Sequence, residues 1–258
     1  MITIDQFSYS YDKKKVLSNL SVHFEKADFC AIMGPNGSGK STLLKAMAHL
    51  LEDKESRIIL DGKSFKDYGA IELAQKVAYV PQRQEIIFDF SVYDVVMMGR
   101  NPYQSRWEFG NATDDAIVMK VLKQTHLTHL KERMLRQLSG GELQRTLIAR
   151  AMAQQAPIML LDEPLANLDI AHKFEIMDIL SELNHLHNVT ILIILHDFPF
   201  ALQYTNKTLL LKEGILQKFG TTEQVMTPAL IRQVFDLGSE YEITPQGNIS
   251  KPFFTHYH

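Results

Sequence analysis

Residues 34–42 constrain the fold more strongly than any other part of the chain. They read GPNGSGKST and match the pattern G-x-x-x-x-G-K-[ST]. The apolar run Phe29–Met33 precedes them, and apolar residues recur at helical spacing from Leu43 to Leu50 behind them. A strand, a glycine-rich turn and a helix in this order are typical of a loop that binds the phosphates of a nucleotide. The sequence therefore predicts an α/β fold with such a site.

Each residue type in this loop suits a densely anionic phosphate chain. Backbone N–H groups at a helix N-terminus form the cradle, and glycines let the backbone approach the phosphates closely. We expect Lys40 to lie between the β- and γ-phosphates, Ser41 to bind Mg²⁺, and Thr42 to donate to a phosphate oxygen. The predicted binding loop consists of Gly34, Pro35, Asn36, Gly37, Ser38, Gly39, Lys40, Ser41 and Thr42.

Two further apolar runs end in polar residues of the kind that nucleotide hydrolysis needs. Ile158–Leu161 is followed by Asp162 and Glu163, and residues 189–195 are followed by His196. Unbroken apolar runs are typical of central parallel strands, and ligands bind at the carboxyl ends of such strands. We expect Asp162 to hold Mg²⁺ and Glu163 to polarise the attacking water, while a neutral His196 bridges Glu163, the water and the γ-phosphate. An acidic turn and an ordinary strand-end histidine are the alternatives.

A second glycine-rich segment, residues 138–142 with the sequence LSGGE, precedes the helical pattern of residues 143–150. It is another candidate anion-binding turn at a helix N-terminus, although the chain already has one for its own nucleotide. The residues alone leave a second interpretation open, in which Ser139 is a helix cap followed by flexible glycines.

These segments resemble the ATPase subunit of an ABC transporter. The Walker A, signature, Walker B and switch-histidine motifs of that family correspond, in chain order, to residues 34–42, 138–142, 158–163 and His196. The resemblance implies that the substrate is ATP, bound with Mg²⁺, and that the chain hydrolyses it.

Three further positions take their expected roles from the same resemblance. Gln82 resembles the Q-loop glutamine, which binds Mg²⁺ and senses the membrane partner. Tyr11 resembles the aromatic residue that stacks on adenine, the alternative being a plain strand-end tyrosine. Residues 166–169 resemble the D-loop, whose Asp169 crosses the interface between two subunits.

In that family two subunits pack head to tail around two ATP molecules. The resemblance implies a homodimer in which Ser139, Gly140 and Gly141 of one subunit contact the γ-phosphate held by Lys40 of the other. ATP binding would then close the dimer, and hydrolysis would open it. Glu142 departs from the commoner glutamine at the end of the signature, but this change removes no group that hydrolysis needs.

The predicted fold is an α/β P-loop NTPase (RecA-like) core with an antiparallel β subdomain and an inserted helical subdomain. We expect a single ABC ATPase domain over residues 1–258. Residues 1–82 and 151–220 would form the catalytic core with the antiparallel β subdomain, and residues 83–150 the helical subdomain with the signature. Residues 221–258 would form a C-terminal helix and tail.

Local patterns agree with this organisation. Residues 2–8 and 20–24 alternate as β-strands, and apolar residues between positions 92 and 122 recur at helical spacing. Residues 208–219 predict a closing hairpin, and Pro228 suits the first position of a short helix.

Charge and composition exclude several function classes. The net charge of −3 gives no electrostatic reason to expect nucleic acid binding. No apolar stretch approaches the roughly 18 to 20 residues that cross a bilayer, and residues 1–5 begin a strand instead of a signal peptide. The single cysteine, Cys30, excludes an intrachain disulfide and suits a reducing cytosol. We expect a peripheral protein at the cytoplasmic face of a bacterial inner membrane, with integral membrane permease subunits as partners.

The transported molecule is predicted from two short stretches. Residues 91–103 and 168–172 are similar to the same segments of importer ATPases for iron-siderophores, haem and cobalamin. The resemblance implies import of a metal chelate, which a separate substrate-binding protein delivers to the permease. An importer for an oxyanion such as molybdate and a soluble ABC ATPase of iron-sulfur cofactor assembly remain alternatives. A non-catalytic binding module is disfavoured because the catalytic residues are all present.

Two sets of residues are open to a functional or a structural interpretation. The first set consists of apolar residues near Gln82, which could line a groove for a helix of the membrane partner. For each residue taken alone, a position in the core of the helical subdomain is favoured. The set comprises Ile86, Ile87, Phe88, Phe90, Tyr103 and Trp107. Several histidines suggest a metal site, but no Cys or carboxylate cluster accompanies them, so surface positions are favoured for His185, His187, His256 and His258.

Overall fold

The structure, a computed structural model, describes residues 1–51, 55, 57–82, 89–104 and 111–250. Within this part the strands are β1 (Ile2–Tyr11), β2 (Lys14–Phe24), β3 (Phe29–Met33), β4 (Ile58–Leu60), β5 (Lys63–Ser64), β6 (Val77–Val80), β7 (Ile158–Leu161), β8 (Thr190–Ile194), β9 (Lys207–Lys212), β10 (Ile215–Thr221), β11 (Glu242–Ile243) and β12 (Ile249–Ser250). The α-helices are α1 (Lys40–Met47), α2 (Ala70–Ala74), α3 (Val92–Met98), α4 (Ala112–Gln124), α5 (Gly140–Ala153), α6 (Ile170–His187), α7 (Phe198–Tyr204), α8 (Thr222–Val225) and α9 (Pro228–Phe235). None of the helices described is both long and apolar enough to cross a membrane.

A six-stranded sheet in the order β10-β9-β3-β8-β7-β6 forms the centre of the molecule. Its strands from β9 to β6 run parallel, and β10 pairs with β9 in the antiparallel direction. Every residue of β3, β7 and β8 is buried, because parallel strands are covered on both faces. The predicted central strands, each with polar residues at its carboxyl end, are therefore confirmed.

The two faces of this sheet belong to two hydrophobic clusters. Along β3, Phe29, Ala31 and Met33 pack into the cluster that contains α3 to α6, whereas Cys30 and Ile32 pack into the other cluster. This alternation follows from the two-residue period of a β-strand. The second cluster contains α1 and the inner face of an antiparallel sheet in the order β2-β1-β4-β5. The predicted antiparallel sheet is thus present, and it lies over the helix that follows the phosphate loop.

Helices α3, α4 and α5 lie between β6 and β7 in the chain, where the spacing of apolar residues predicted helices. A buried ion pair joins them, since Arg100 Nε, just beyond α3, donates to Asp114 Oδ1 of α4 at 2.8 Å. Arg100 Nη1 also donates to the carbonyl of Ala153 at the end of α5, at 2.7 Å. The subdomain boundaries at residues 83, 151 and 221 stay predictions.

The C-terminal part of the core agrees with the local patterns. Strands β9 and β10 form the predicted hairpin around Glu213 and Gly214. Pro228 occupies the first turn of α9, where its missing N–H is not needed.

The structure corrects one interpretation of the apolar residues near Gln82. Phe90 and Tyr103 are 38% and 41% exposed, so their predicted core positions are wrong. The guanidinium of Arg100 instead lies over the ring of Tyr103, at 4.2 Å from the ring centroid, because a cation is attracted to the face of an aromatic ring. The other members of the set, Ile86, Ile87, Phe88 and Trp107, lie outside the described residues.

The described histidines near the end of α6 occupy the surface, as expected. His185 and His187 are exposed in the last turn of the helix, and His185 Nδ1 lies 2.8 Å from the carbonyl of Ser181 in its own helix. Among the residues described, no group of three His, Cys, Asp or Glu side chains could hold a metal ion. His256 and His258 lie outside the described residues.

Candidate nucleotide site

The loop between β3 and α1 has the backbone conformation that its glycines predict. Gly34 has a φ of +153°, and a Cβ at this position would overlap the carbonyl oxygen of Leu211 in β9. Gly39, the residue that precedes α1, is left-handed with a φ of 99°. The N-terminus of α1 has no side-chain cap, so its first N–H groups could donate to an anion in front of the helix.

Lys40 is held against this loop. Its Nζ donates to the carbonyls of Gly34 at 2.8 Å and Pro35 at 2.9 Å, and only 5% of the residue is exposed. Burial lowers the pKa of Lys40, while the nearby carboxylates of Glu163 and Asp162 oppose that shift. The structure thus places a constrained cation beside the phosphate loop and the two carboxylates.

Asp162 links the loop to the central sheet. Its Oδ1 accepts a hydrogen bond from the hydroxyl of Ser41 at 2.9 Å, and its Oδ2 accepts one from the hydroxyl of Tyr79 at 3.3 Å. Burial raises the pKa of the Asp162 carboxyl, and the two hydrogen bonds oppose that rise. Burial and the adjacent carboxylate together raise the pKa of Tyr79. Tyr79 is a site residue that the sequence did not reveal, because its strand reads simply as apolar.

Glu163 is oriented by two of the other predicted residues. Its Oε1 lies 2.8 Å from His196 Nε2, and its Oε2 accepts a hydrogen bond from Gln82 Nε2 at 2.5 Å. Glu163 itself has a φ of 50°, a left-handed conformation that non-glycine residues adopt mainly where the surroundings impose it. Two side chains from separate segments, Gln82 and His196, therefore meet at the carboxylate of Glu163, and the sequence predicted the approach of His196.

A cleft of about 690 Å³ opens in front of the loop. Tyr11, Lys40, Gln82 and Glu163 line it, and the remaining lining residues are Lys14, Lys15, Val16, Asn36, Gly37, Gly39, Ser41, Thr42 and Glu213. Tyr11 is 43% exposed, and its ring meets that of Tyr9 edge to face with the centroids 5.1 Å apart. The lining of the cleft therefore includes an aromatic side chain in addition to residues of the phosphate loop.

The turn between β9 and β10 also supports the cleft, which sequence reasoning missed. Gly214 donates its N–H to the carbonyl of Ser38 at 3.0 Å and accepts a hydrogen bond from the N–H of Ser18 at 2.9 Å. The same turn brings Glu213 into the lining. Through these hydrogen bonds the turn connects the phosphate loop to β2. The sequence predicted a hairpin turn at this position but not its contact with the loop.

The second glycine-rich segment lies at the N-terminus of α5. Ser139 and Glu142 form a capping box, in which the N–H of Ser139 donates to Glu142 Oε2 at 2.7 Å and the N–H of Glu142 donates to Ser139 Oγ at 3.3 Å. The backbone donor at Ser139 lowers the pKa of Glu142. Ser139 is therefore a helix cap, and the segment is absent from the described lining of the cleft that contains Lys40.

The segment at the start of α6 lies beside the signature. Asp169 caps α6, with its Oδ1 accepting from the N–H of His172 at 3.0 Å. Ser139 and Gly140 are exposed, whereas Gly141 is buried, and a Cβ at Gly141 would overlap the ring of His172. The predicted site residues thus form two groups, one around Lys40 and Glu163 and the other around Ser139 and Asp169.

The fold and the first group define a P-loop nucleotide hydrolase, and comparison with known proteins identifies its family. A statistical model of the ABC transporter family matches residues 17–166. The petrobactin import ATP-binding protein FpuC of Bacillus anthracis is 39% identical over 99% of this chain and 92% of its own length. The iron(3+)-hydroxamate import ATP-binding protein FhuC of Bacillus subtilis is 34% identical over 96% of this chain and 92% of its own length.

A solved structure agrees with these sequence relatives. A bacterial ABC transporter cassette determined as a dimer superimposes with a TM-score of 0.76 at 27% identity, over 86% of this chain and 99% of that one. The chain belongs to the ABC transporter family, and its predicted fold class is confirmed. It is an ATPase that binds ATP and hydrolyses it to ADP and phosphate.

Proposed function

We propose that this ATPase drives the import of a metal chelate, of the iron-siderophore, haem or cobalamin type, through separate permease subunits. The observation that carries the proposal is the arrangement of Glu163 between Gln82 and His196, in a chain that is similar over more than 90% of its length to a petrobactin import and an iron(3+)-hydroxamate import ATP-binding protein. Because Gln82, Glu163 and His196 all belong to this chain, we propose that it hydrolyses ATP itself and is not only a regulatory subunit.

The residues around the cleft divide the chemistry between them. The loop N–H groups and Lys40 hold the β- and γ-phosphates and stabilise the charge that develops on them. Glu163 polarises the attacking water, and the contacts with Gln82 and His196 keep its carboxylate in one orientation. His196 then bridges the carboxylate, the water and the γ-phosphate. Tyr11 stacks on the adenine ring at the other end of the cleft.

The donor set beside the loop fits Mg²⁺. The hydroxyl of Ser41 and the carboxylate of Asp162 are hard oxygen ligands, and their contact at 2.9 Å supports the binding of one small cation by both. Gln82 would complete the protein ligands through its amide oxygen, since its amide nitrogen donates to Glu163. When bound, Mg²⁺ supplies neutralisation of phosphate charge.

Two copies of the chain complete two sites. The exposed Ser139 and Gly140 and the neighbouring Gly141 would contact the γ-phosphate bound by Lys40 of the other subunit, and Asp169 would lie across the interface. This head-to-tail arrangement gives a role to a helix N-terminus that is remote from the cleft of its own chain. ATP then stabilises the closed homodimer, and hydrolysis opens it.

We propose that transport needs membrane-spanning partner subunits in addition to this chain. We place the homodimer at the cytoplasmic face of the cell membrane, against integral permease subunits, with a substrate-binding protein acting on the far side. We expect this contact to involve the surface that carries Phe90 and Tyr103, which are partly exposed and follow Gln82 in the chain.

Affinity purification from detergent-solubilised membranes of the native host, followed by mass spectrometry, tests this proposal. We expect a polytopic permease to come with the tagged chain, and we expect a strain that carries Glu163→Gln to lose uptake of a ferric chelate but not of molybdate. The tagged Glu163→Gln chain should still recover the permease, which serves as the matched control. Recovery of soluble proteins alone, or loss of molybdate uptake instead, would contradict the proposal.

A further inference from the structure

His172, in the first turn of α6, occupies the space beside the signature glycine. A Cβ on Gly141 would overlap ring atoms Cδ2 and Cγ of His172 and would lie 2.8 Å from Nε2. The ring therefore packs directly on the Gly141 backbone, which explains why Gly141 is buried while Ser139 and Gly140 are exposed. The missing side chain of Gly141 therefore makes room for the ring of His172 from the same subunit.

The opposite edge of the same ring is tied to the D-loop. His172 Nδ1 lies 2.6 Å from Asp169 Oδ2, while Asp169 Oδ1 already accepts the N–H of His172 as a helix cap. Capping needs only the first of these contacts. The second one orients the imidazole, so that the ring spans from the Asp169 carboxylate to Gly141.

Neighbouring residues on α6 strengthen this connection. Arg145, one turn along α5 from Gly141, pairs with Glu175, one turn along α6 from His172. Lys173 Nζ donates to Asp197 Oδ2 at 2.7 Å, next to the predicted switch residue His196. The start of α6 thus contacts the signature helix, the D-loop and the segment that follows β8.

We propose that His172 is a positioning residue of the ATPase, which couples the D-loop to the signature segment of its own subunit by packing on Gly141 while binding Asp169. The inference rests on the proposed head-to-tail dimer, because these two segments act on the nucleotide of the other subunit. The coupling keeps them at one relative position when they meet that nucleotide. Catalytic geometry is sensitive to displacements of about 1 Å, so loss of the coupling slows turnover without removing a group that touches ATP in the same subunit.

Steady-state ATP hydrolysis by purified His172→Ala and His172→Asn tests the proposal, with His185→Ala as the control. His185 belongs to the same helix and is exposed in its last turn. We expect kcat of His172→Ala to fall about tenfold or more, with the KM for ATP within about twofold of the wild type. His172→Asn should recover most of kcat, because its amide nitrogen takes the place of Nδ1 beside Asp169. His185→Ala should match the wild type.

Three results would overturn the proposal. They are a kcat of His172→Ala within twofold of the wild type, an equal fall for His172→Asn, and a fall that parallels a loss of thermal stability in both variants. A wild-type chain with no ATP turnover would instead count against the hydrolytic roles assigned to the cleft, so the two failures are distinguishable.

Discussion

At the scale of single residues, two glycines of the phosphate loop are required for different reasons. Gly34 has a φ of +153°, and an added Cβ would overlap the backbone of Leu211 in the neighbouring strand. Gly37 has a φ of +77° but faces open space. The first position is limited by packing and the second by backbone conformation alone.

We therefore predict that Gly34→Ala destabilises the protein much more than Gly37→Ala. The overlap at Gly34 involves backbone that cannot move aside, so we expect the free energy of unfolding to fall by about 3 kcal/mol or more. Gly37→Ala should cost about 1 to 2 kcal/mol, the penalty of a left-handed non-glycine residue. Urea unfolding without nucleotide measures both values, and equal losses would show that the contact with Leu211 does not limit the loop.

At the scale of elements, a buried ion pair holds the inserted helices together. Arg100 and Asp114 are almost completely buried, and the guanidinium also satisfies the carbonyl at the end of α5. A buried pair adds little net stability over an apolar one, but removing one partner leaves an unpaired charge in a medium of low polarity. The helices α3, α4 and α5 consequently depend on both residues.

Asp114→Ala should lower the free energy of unfolding by about 3 to 5 kcal/mol. The matched control is Glu72→Ala, which removes the exposed pair between Lys63 and Glu72 and should cost less than about 1 kcal/mol. Denaturant unfolding monitored by circular dichroism gives both numbers. If the two variants lost similar stability, the Arg100 charge would have to be compensated by other groups.

At the scale of the whole molecule, the predicted site residues of one copy fall into two groups that do not line the same cleft. Lys40, Ser41, Asp162 and Glu163 surround the cleft, whereas Ser139 caps a helix outside its described lining. In the proposed homodimer, closure of the cleft by a second subunit would unite them, and nucleotide binding would then stabilise the pair by mass action.

Glu163→Gln should therefore form an ATP-dependent dimer, because it removes water activation while it leaves the phosphate contacts in place. Size-exclusion chromatography should show a dimer with ATP and a monomer without it. Adding Lys40→Ala, which removes the phosphate cation, or Ser139→Arg, which places a bulky side chain at the exposed cap, should restore the monomer in each case. A dimer that persists with Ser139→Arg would refute the role of Ser139 across the interface.

Sequence patterns were sufficient where the information is local. A glycine-rich turn between a strand and a helix predicts Lys40 and Ser41 at a phosphate site, since the residues involved are adjacent in the chain. Apolar runs likewise predicted β7 and β8, with Asp162 and His196 at their carboxyl ends. Motif recognition added Gln82, whose contact with Glu163 follows from the order of neighbouring parallel strands.

Tertiary structure alone decided the contacts between segments that are distant in the chain. Tyr79 and Asp162 are 83 positions apart and meet because β6 pairs with β7. Gly214 lies in a distant hairpin and donates a hydrogen bond to the carbonyl of Ser38. The exposure of Phe90 likewise depends on how the surrounding segments pack in the folded chain. The sequence determines local geometry through backbone preference and periodicity, whereas the packing of His172 on Gly141 exists only once α5 and α6 are docked side by side.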